Sequence, residues 1–307
     1  MAKPNFFIVG APKCGTTAMN DYLKQHPEIF IPNVKELHYF GSDLNINSSS
    51  LIDKLSKEEY LNYFSFAGPK RHVGESSVLY LSSKLAAEEI YNFNSNAKII
   101  IMLREPFDMM CSLHSQLLST CKEDIEDFGH ALDAESDRFK GGRIPANVDV
   151  IDDALFYKSV ASYYEQVKRY IDRFGKNNVH VILFDDFKFD ALNVYKSVLE
   201  FLGIKDVEFE PNIKIINSNK ILINRKIYNL ANRPPIFIKL LVKLALPGFA
   251  RRMLVKSINN MNIKYVKRKE PDQVIASAIR KEFFHEITKL ENLIDKDLST
   301  WKVEGDL

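Results

Sequence analysis

Apolar positions along the chain fall into short continuous runs separated by stretches with helical spacing. Phe6–Val9, Lys98–Leu103 and Val179–Phe184 read as buried strands. Residues 16 to 25 predict a first helix, ended by His26-Pro27-Glu28, and Ser82–Tyr91 predicts another. Lys158–Phe174 predicts a long amphipathic helix with aromatic and aliphatic residues on one face and a stop at Gly175. Asp190 caps a further predicted helix that Gly203 closes, and Ile279–Trp301 reads as a terminal helix. Strands alternating with helices predict an α/β fold, a central parallel sheet flanked by helices on both faces. Ser115–Asp153 and Asn217–Arg268 are less regular, and there elements that shape a substrate site are expected. No internal repeat or low-complexity tract interrupts the pattern.

The first strand runs directly into Gly10-Ala11-Pro12-Lys13-Cys14-Gly15-Thr16-Thr17. A strand, a tight glycine loop and a helix N-terminus turn free backbone N–H groups toward an anion. Gly10 and Gly15 allow the turn and the close approach, Thr16 and Thr17 add hydroxyls, and Lys13 adds a full positive charge. The glycines have the separation of a Walker A loop, but Thr16 stands where that loop has its lysine, which has moved to position 13. No apolar strand ends in an Asp suited to a Walker B role, and the strand at Lys98–Leu103 ends in Arg104 instead. Nucleoside-triphosphate chemistry through magnesium is therefore disfavoured.

Composition narrows the partners. The 307 residues are 46% hydrophobic and 27% charged, and the formal net charge is +2, so there is no global basic field for nucleic acid and any anion site is local. Three cysteines, Cys14, Cys111 and Cys121, lack zinc-type spacing and are too few for a disulfide scaffold. With no export-signal pattern ahead of the first strand, they predict a cytoplasmic, reducing setting. The most apolar later stretch, Ile236–Leu246, is broken by Lys239 and Lys243 and is too short to span a bilayer. Ile236–Ile258 reads as a basic helix packed on the domain in preference to one lying on a membrane surface.

"APKCGTTAMNDYL" resembles the 5′-phosphosulfate loop of sulfotransferases that use 3′-phosphoadenosine-5′-phosphosulfate (PAPS). The family's second motif is an Arg at a strand end followed eight residues later by a helical Ser, and "IIIMLREPFDMMCSLHSQL" has Arg104 and Ser112 in that register. A guanidinium fork and a hydroxyl suit the phosphate on the ribose. "HPEIFIPNVKELHYF", "GESSVLYL", "YYEQVKRYIDRFGKNNVHVILFDDF" and "ITKLENLIDKDLSTW" resemble further segments of carbohydrate (heparan sulfate-type) sulfotransferases and their bacterial relatives. The resemblance implies one P-loop-like domain over residues 1–307. The late glycine- and basic-rich loop that several animal members close over the 3′-phosphate has no counterpart, and "NSNKILINRKIYNL" with Arg225 is the candidate substitute.

What the resemblance implies is in-line sulfuryl transfer from PAPS to a hydroxyl or amine on a glycan or small molecule, leaving adenosine 3′,5′-bisphosphate. Pro12, Lys13, Cys14, Gly15, Thr16 and Thr17 would hold the phosphosulfate, with Lys13 offsetting charge on the leaving phosphate and no metal required. The acceptor must lose a proton, and Glu36, His38 and Glu75 are candidates for the base. Glu36 matches the catalytic Glu of glycan sulfotransferases in position; His38 also suits a packed ring, and Glu75, with Ser77, a place near the acceptor or Lys13. A non-catalytic binder of adenosine bisphosphate, and behind it a P-loop kinase, remain the alternatives.

Overall fold

The computed structural model describes residues 2–44, 55–145, 153–213, 220–232, 234–235, 237, 257–259, 261–265 and 272–302. The predicted basic segment Ile236–Ile258 lies almost wholly outside the described residues. The chain divides into two compact units, the first made of 1–113, 152–216 and 271–307 and the second of 114–151 and 217–270.

The first unit is built on a parallel sheet of order β2-β3-β1-β4-β5, with β1 (Phe6–Gly10), β2 (Ile29–Phe30), β3 (His72–Ser76), β4 (Lys98–Leu103) and β5 (Val179–Leu183). β1 and β4 are neighbours, as the architecture implied by their apolar runs requires, with Phe6 opposite Lys98 and Ile8 opposite Ile100. Every residue of β1 and nearly every residue of β4 is buried, which continuous apolar runs demand of a sheet covered on both faces. β3 has no such run. It sits against β1 because Gly74 leaves room for the Phe6 ring, whose Cζ lies 2.1 Å from where a Cβ would stand. The chain turns to one side of β1 for β2 and β3 and to the other for β4 and β5, so the carboxyl end of β1 is the switch point where open parallel sheets bind ligands.

Helices α1 (Thr16–Gln25), α2 (Lys57–Asn62), α3 (Ala86–Phe93) and α4 (Pro106–Ser119) follow the first strands. α1 buries Ala18, Met19, Tyr22 and Leu23, and its cap His26 takes the extended conformation that Pro27 imposes. The second unit holds α5 (Phe128–Asp133) and α6 (Glu135–Arg138), pinned by a fully buried pair in which Arg138 Nη2 donates to both carboxylate oxygens of Glu123 at 2.8 and 2.9 Å. The helix predicted over Lys158–Phe174 is interrupted, forming α7 (Tyr157–Ala161) and α8 (Tyr163–Phe174). The Ser162 hydroxyl donates to the Lys158 carbonyl at 2.8 Å, and the Tyr164 N–H goes to Glu286 at 2.7 Å. Next come α9 (Phe184–Phe189) and α10 (Ala191–Leu202), the latter capped by Asp190 and closed by left-handed Gly203 as expected. In the second unit α11 (Arg225–Asn232) lies between β6 (Lys220–Leu222) and β7 (Ile263–Tyr265), which pair antiparallel. The terminal helix α12 (Gln273–Ile294) packs against α8. Among the described residues no helix is long and apolar enough to cross a membrane.

Candidate active site

The carboxyl ends of β3, β1 and β4 carry most of the residues singled out from the sequence. After β1, the Ala11 N–H donates to the Met102 carbonyl of β4 at 2.6 Å, which ties the loop to its neighbour strand. Lys13 (φ 65°) and Gly15 (φ 87°) both take left-handed backbone, the alternation that turns successive N–H groups into an anion-binding concavity. Gly15 cannot be replaced without strain, because a Cβ there would also lie 2.9 Å from the Phe187 ring. Cys14 is buried, its thiol donating to the Pro12 carbonyl at 3.3 Å. Burial pushes that thiol up to about 12 despite the opposing pull of Arg104 and the Tyr163 hydroxyl, so it stays protonated and serves packing, not nucleophilic attack.

Arg104 follows β4 and precedes α4, whose start is set by Pro106 at its first position and by Glu105, which accepts the Asp108 N–H at 2.7 Å. The Arg104 guanidinium lies 4.8 Å above the Phe184 ring and donates to Asp108 at 2.7 Å. Glu105 does not take Arg104 as its partner; it faces Arg280 of α12 at 3.4 Å. Ser112 is buried further along α4. Arg225 belongs to the second unit, at the start of α11, 3.6 Å from Glu126.

The chain leaving β2 returns to the end of β3, where the Glu36 N–H donates to the Ser76 carbonyl at 2.8 Å and the His38 N–H to Ser77 Oγ at 3.3 Å. Both Glu36 (φ 61°) and His38 (φ 49°) are left-handed. Lys35 is the link to the phosphate-type loop: its ammonium donates to Thr16 Oγ1 at 3.2 Å and Thr17 Oγ1 at 3.0 Å, and stands 3.7 Å from the Glu36 carboxylate. Burial lowers its pKa, against the pull of Glu36 and Asp21. Glu36 keeps 41% of its side chain exposed, and its second oxygen lies 3.5 Å from His38 Nε2. The His38 ring packs edge-on against Tyr80, with Nδ1 buried and unpartnered. Glu75 is itself buried, held by Ser77 at 2.5 Å and Tyr60 at 3.3 Å. A half-exposed carboxylate, a cation and two hydroxyls of an anion loop thus share one edge of the sheet.

Sequence reasoning gave no site role to Lys35, Asp108, Phe184, Tyr60 or Tyr80. Asp108 carried a signal, since it lies four residues after Arg104 where a helix turn brings the two together. Lys35 carried none, because its approach to Thr16 and Thr17 depends on the long return from β2.

A family model described as "Sulfotransferase domain" matches residues 3–222. Membrane-associated sulfotransferase kil1 of Dictyostelium discoideum is 24% identical over 315 residues, covering 75% of this chain and 65% of that protein. Human heparan sulfate glucosamine 3-O-sulfotransferase 5 is 24% identical over 203 residues, covering 66% of this chain and 54% of its own length. The chain therefore spans about half to two thirds of the length of these curated relatives. Among solved structures, a sulfotransferase from Alicyclobacillus acidocaldarius superposes with a TM-score of 0.72 at 29% identity, covering 98% of this chain and 99% of that one.

Proposed function

Because the chain belongs to the sulfotransferase domain family, we propose that it moves the sulfuryl group of PAPS onto an acceptor hydroxyl or amine, with Glu36 as general base. The observation that carries this reading is the Lys35 bridge, which joins the Thr16 and Thr17 hydroxyls to the Glu36 carboxylate. An anion seated in the loop would lie within reach of the base.

The residues present fit such a donor. Left-handed Lys13 and Gly15 shape an N–H concavity at the amino end of α1, where the helix dipole also favours negative charge. Arg104, at the end of the adjacent strand, offers a planar fork already braced by Phe184 and Asp108. PAPS supplies an activated sulfuryl group, with adenosine 3′,5′-bisphosphate as the departing product. Lys13 and the loop N–H groups hold the 5′-phosphate and offset the charge that grows on its bridging oxygen. Arg104 and Ser112 hold the 3′-phosphate. Glu36 accepts the acceptor's proton as its oxygen or nitrogen bonds to sulfur. Lys35, 3.7 Å from the Glu36 carboxylate, holds it toward the loop.

For the acceptor, the likeness to a heparan sulfate glucosamine 3-O-sulfotransferase supports a carbohydrate hydroxyl. The test is incubation with sulfur-labelled PAPS and a panel of glycan and small alcohol or amine acceptors. The parent should yield labelled product that survives chelation with EDTA. Glu36→Gln should bind adenosine 3′,5′-bisphosphate normally and lose about a hundredfold to ten-thousandfold in turnover. Parental turnover by Glu36→Gln would remove Glu36 from the mechanism. Activity abolished by EDTA and restored by magnesium would remove the metal-free scheme.

A further inference from the structure

Glu75 takes no part in the chemistry above, yet it is a carboxylate buried to 2% exposure one strand away from the loop. Its Oε1 accepts the Ser77 hydroxyl proton at 2.5 Å and its Oε2 that of Tyr60 at 3.3 Å, while the Tyr80 hydroxyl also bonds the carboxylate. Two of these hydroxyls face the chain that carries the base. Ser77 Oγ accepts the His38 N–H at 3.3 Å, and the Tyr80 oxygen accepts the Phe40 N–H at 3.2 Å. A hydroxyl has a single proton, so each can turn a lone pair to its N–H while that proton points at a carboxylate able only to accept. The held segment needs holding, since left-handed backbone at Glu36 and His38 is unfavourable for residues with a Cβ.

We propose that Glu75 is a positioning residue: its ionised carboxylate orients the Ser77 and Tyr80 hydroxyls so that they fix His38 and Phe40, and with them the turn that presents Glu36. The proposal rests on Glu36 being the base. Protonating Glu75 gives it an O–H of its own to place, so a neighbouring hydroxyl must turn to accept it, and the carboxylate no longer fixes where that hydroxyl's lone pairs meet the segment's N–H. The groups facing Glu75 are Tyr60 of α2, Tyr80, His38, and Tyr170 of α8, whose hydroxyl donates to the Tyr80 carbonyl at 2.9 Å. The burial that isolates this cluster pushes Glu75 up to about 7, the largest of the influences on it, against the hydrogen bonds and His38. Turnover should therefore fall on the acid side of neutrality as the orienting charge is lost.

Glu75→Gln, which keeps the shape and fixes a neutral group, tests this in the full chain. At about pH 8, where the parent carboxyl is ionised, three results are expected together. Adenosine 3′,5′-bisphosphate affinity stays within about twofold, the melting temperature is no lower than the parent's, and kcat falls about tenfold or more with the acid limb near neutrality gone. Ser77→Ala, which cuts the link and keeps the carboxylate, should share the loss of kcat. Parental kcat with an unchanged limb in Glu75→Gln would overturn the proposal, as would a kcat loss that merely follows a lowered melting temperature. If the parent transfers no sulfuryl group at all, the proposed function fails instead. The inference then stands or falls on amide hydrogen exchange: His38 and Phe40 should be protected in the parent and lose about tenfold in protection in Glu75→Gln, and equal protection would overturn it.

Discussion

Replacing Lys35 by methionine keeps the apolar stem of the side chain and removes the charge that Thr16, Thr17 and Glu36 share. Steady-state kinetics should show kcat reduced about a hundredfold, with nucleotide affinity changed far less, because the loop N–H groups and Arg104 remain. A variant that keeps parental kcat would place Lys35 outside the chemistry. Glu75 leads to a prediction of opposite sign for stability and for function. Its folded pKa of about 7 lies above the ordinary carboxylate value of 4.5, so its contribution to stability is complete below the lower value and is lost as pH rises through the upper one. That loss is on the order of 3 kcal/mol, and Glu75→Gln should escape it in denaturant titrations run across this range. The loop residues were legible in the sequence because glycine, lysine and threonine at fixed offsets after a strand have few other uses. The roles of Lys35 and Glu75 were not, because each depends on burial and on partners brought from distant segments.

At the scale of elements, β3 shows what a pattern of apolar runs misses. His72-Val73-Gly74-Glu75-Ser76 has neither the run of a buried strand nor clean alternation, and it is a strand because Gly74 leaves the space that the Phe6 ring of β1 fills. Gly74→Ala should therefore cost about 1–3 kcal/mol of stability, read as a lowered denaturant midpoint, since the new methyl has no free volume. A midpoint equal to the parent's would mean the two strands can separate without cost. β1, β4, β5, α1 and α10 were all readable, the strands from continuous apolar runs and the helices from their stops and caps. The break between α7 and α8 was not, since Ser162 bends the chain through a local hydrogen bond and Tyr164 finds its acceptor on α12.

At the scale of the whole molecule, a formal charge of +2 over 307 residues leaves the proposed recognition of a doubly phosphorylated nucleotide to local groups. Those groups stand at the carboxyl ends of adjacent parallel strands, the loop after β1 and Arg104 after β4. An ATP molecule can fill a loop of N–H donors as well as any nucleotide can, but it has no 3′-phosphate for Arg104 and Ser112. Isothermal calorimetry with adenosine 3′,5′-bisphosphate and with ATP, on the parent and on Arg104→Ala, therefore tests whether these groups select the 3′-phosphate. The parent should bind adenosine 3′,5′-bisphosphate at least about tenfold more tightly than ATP, a preference of about 1.4 kcal/mol, and Arg104→Ala should abolish that preference. Equal affinity of the parent for the two nucleotides would contradict that selection.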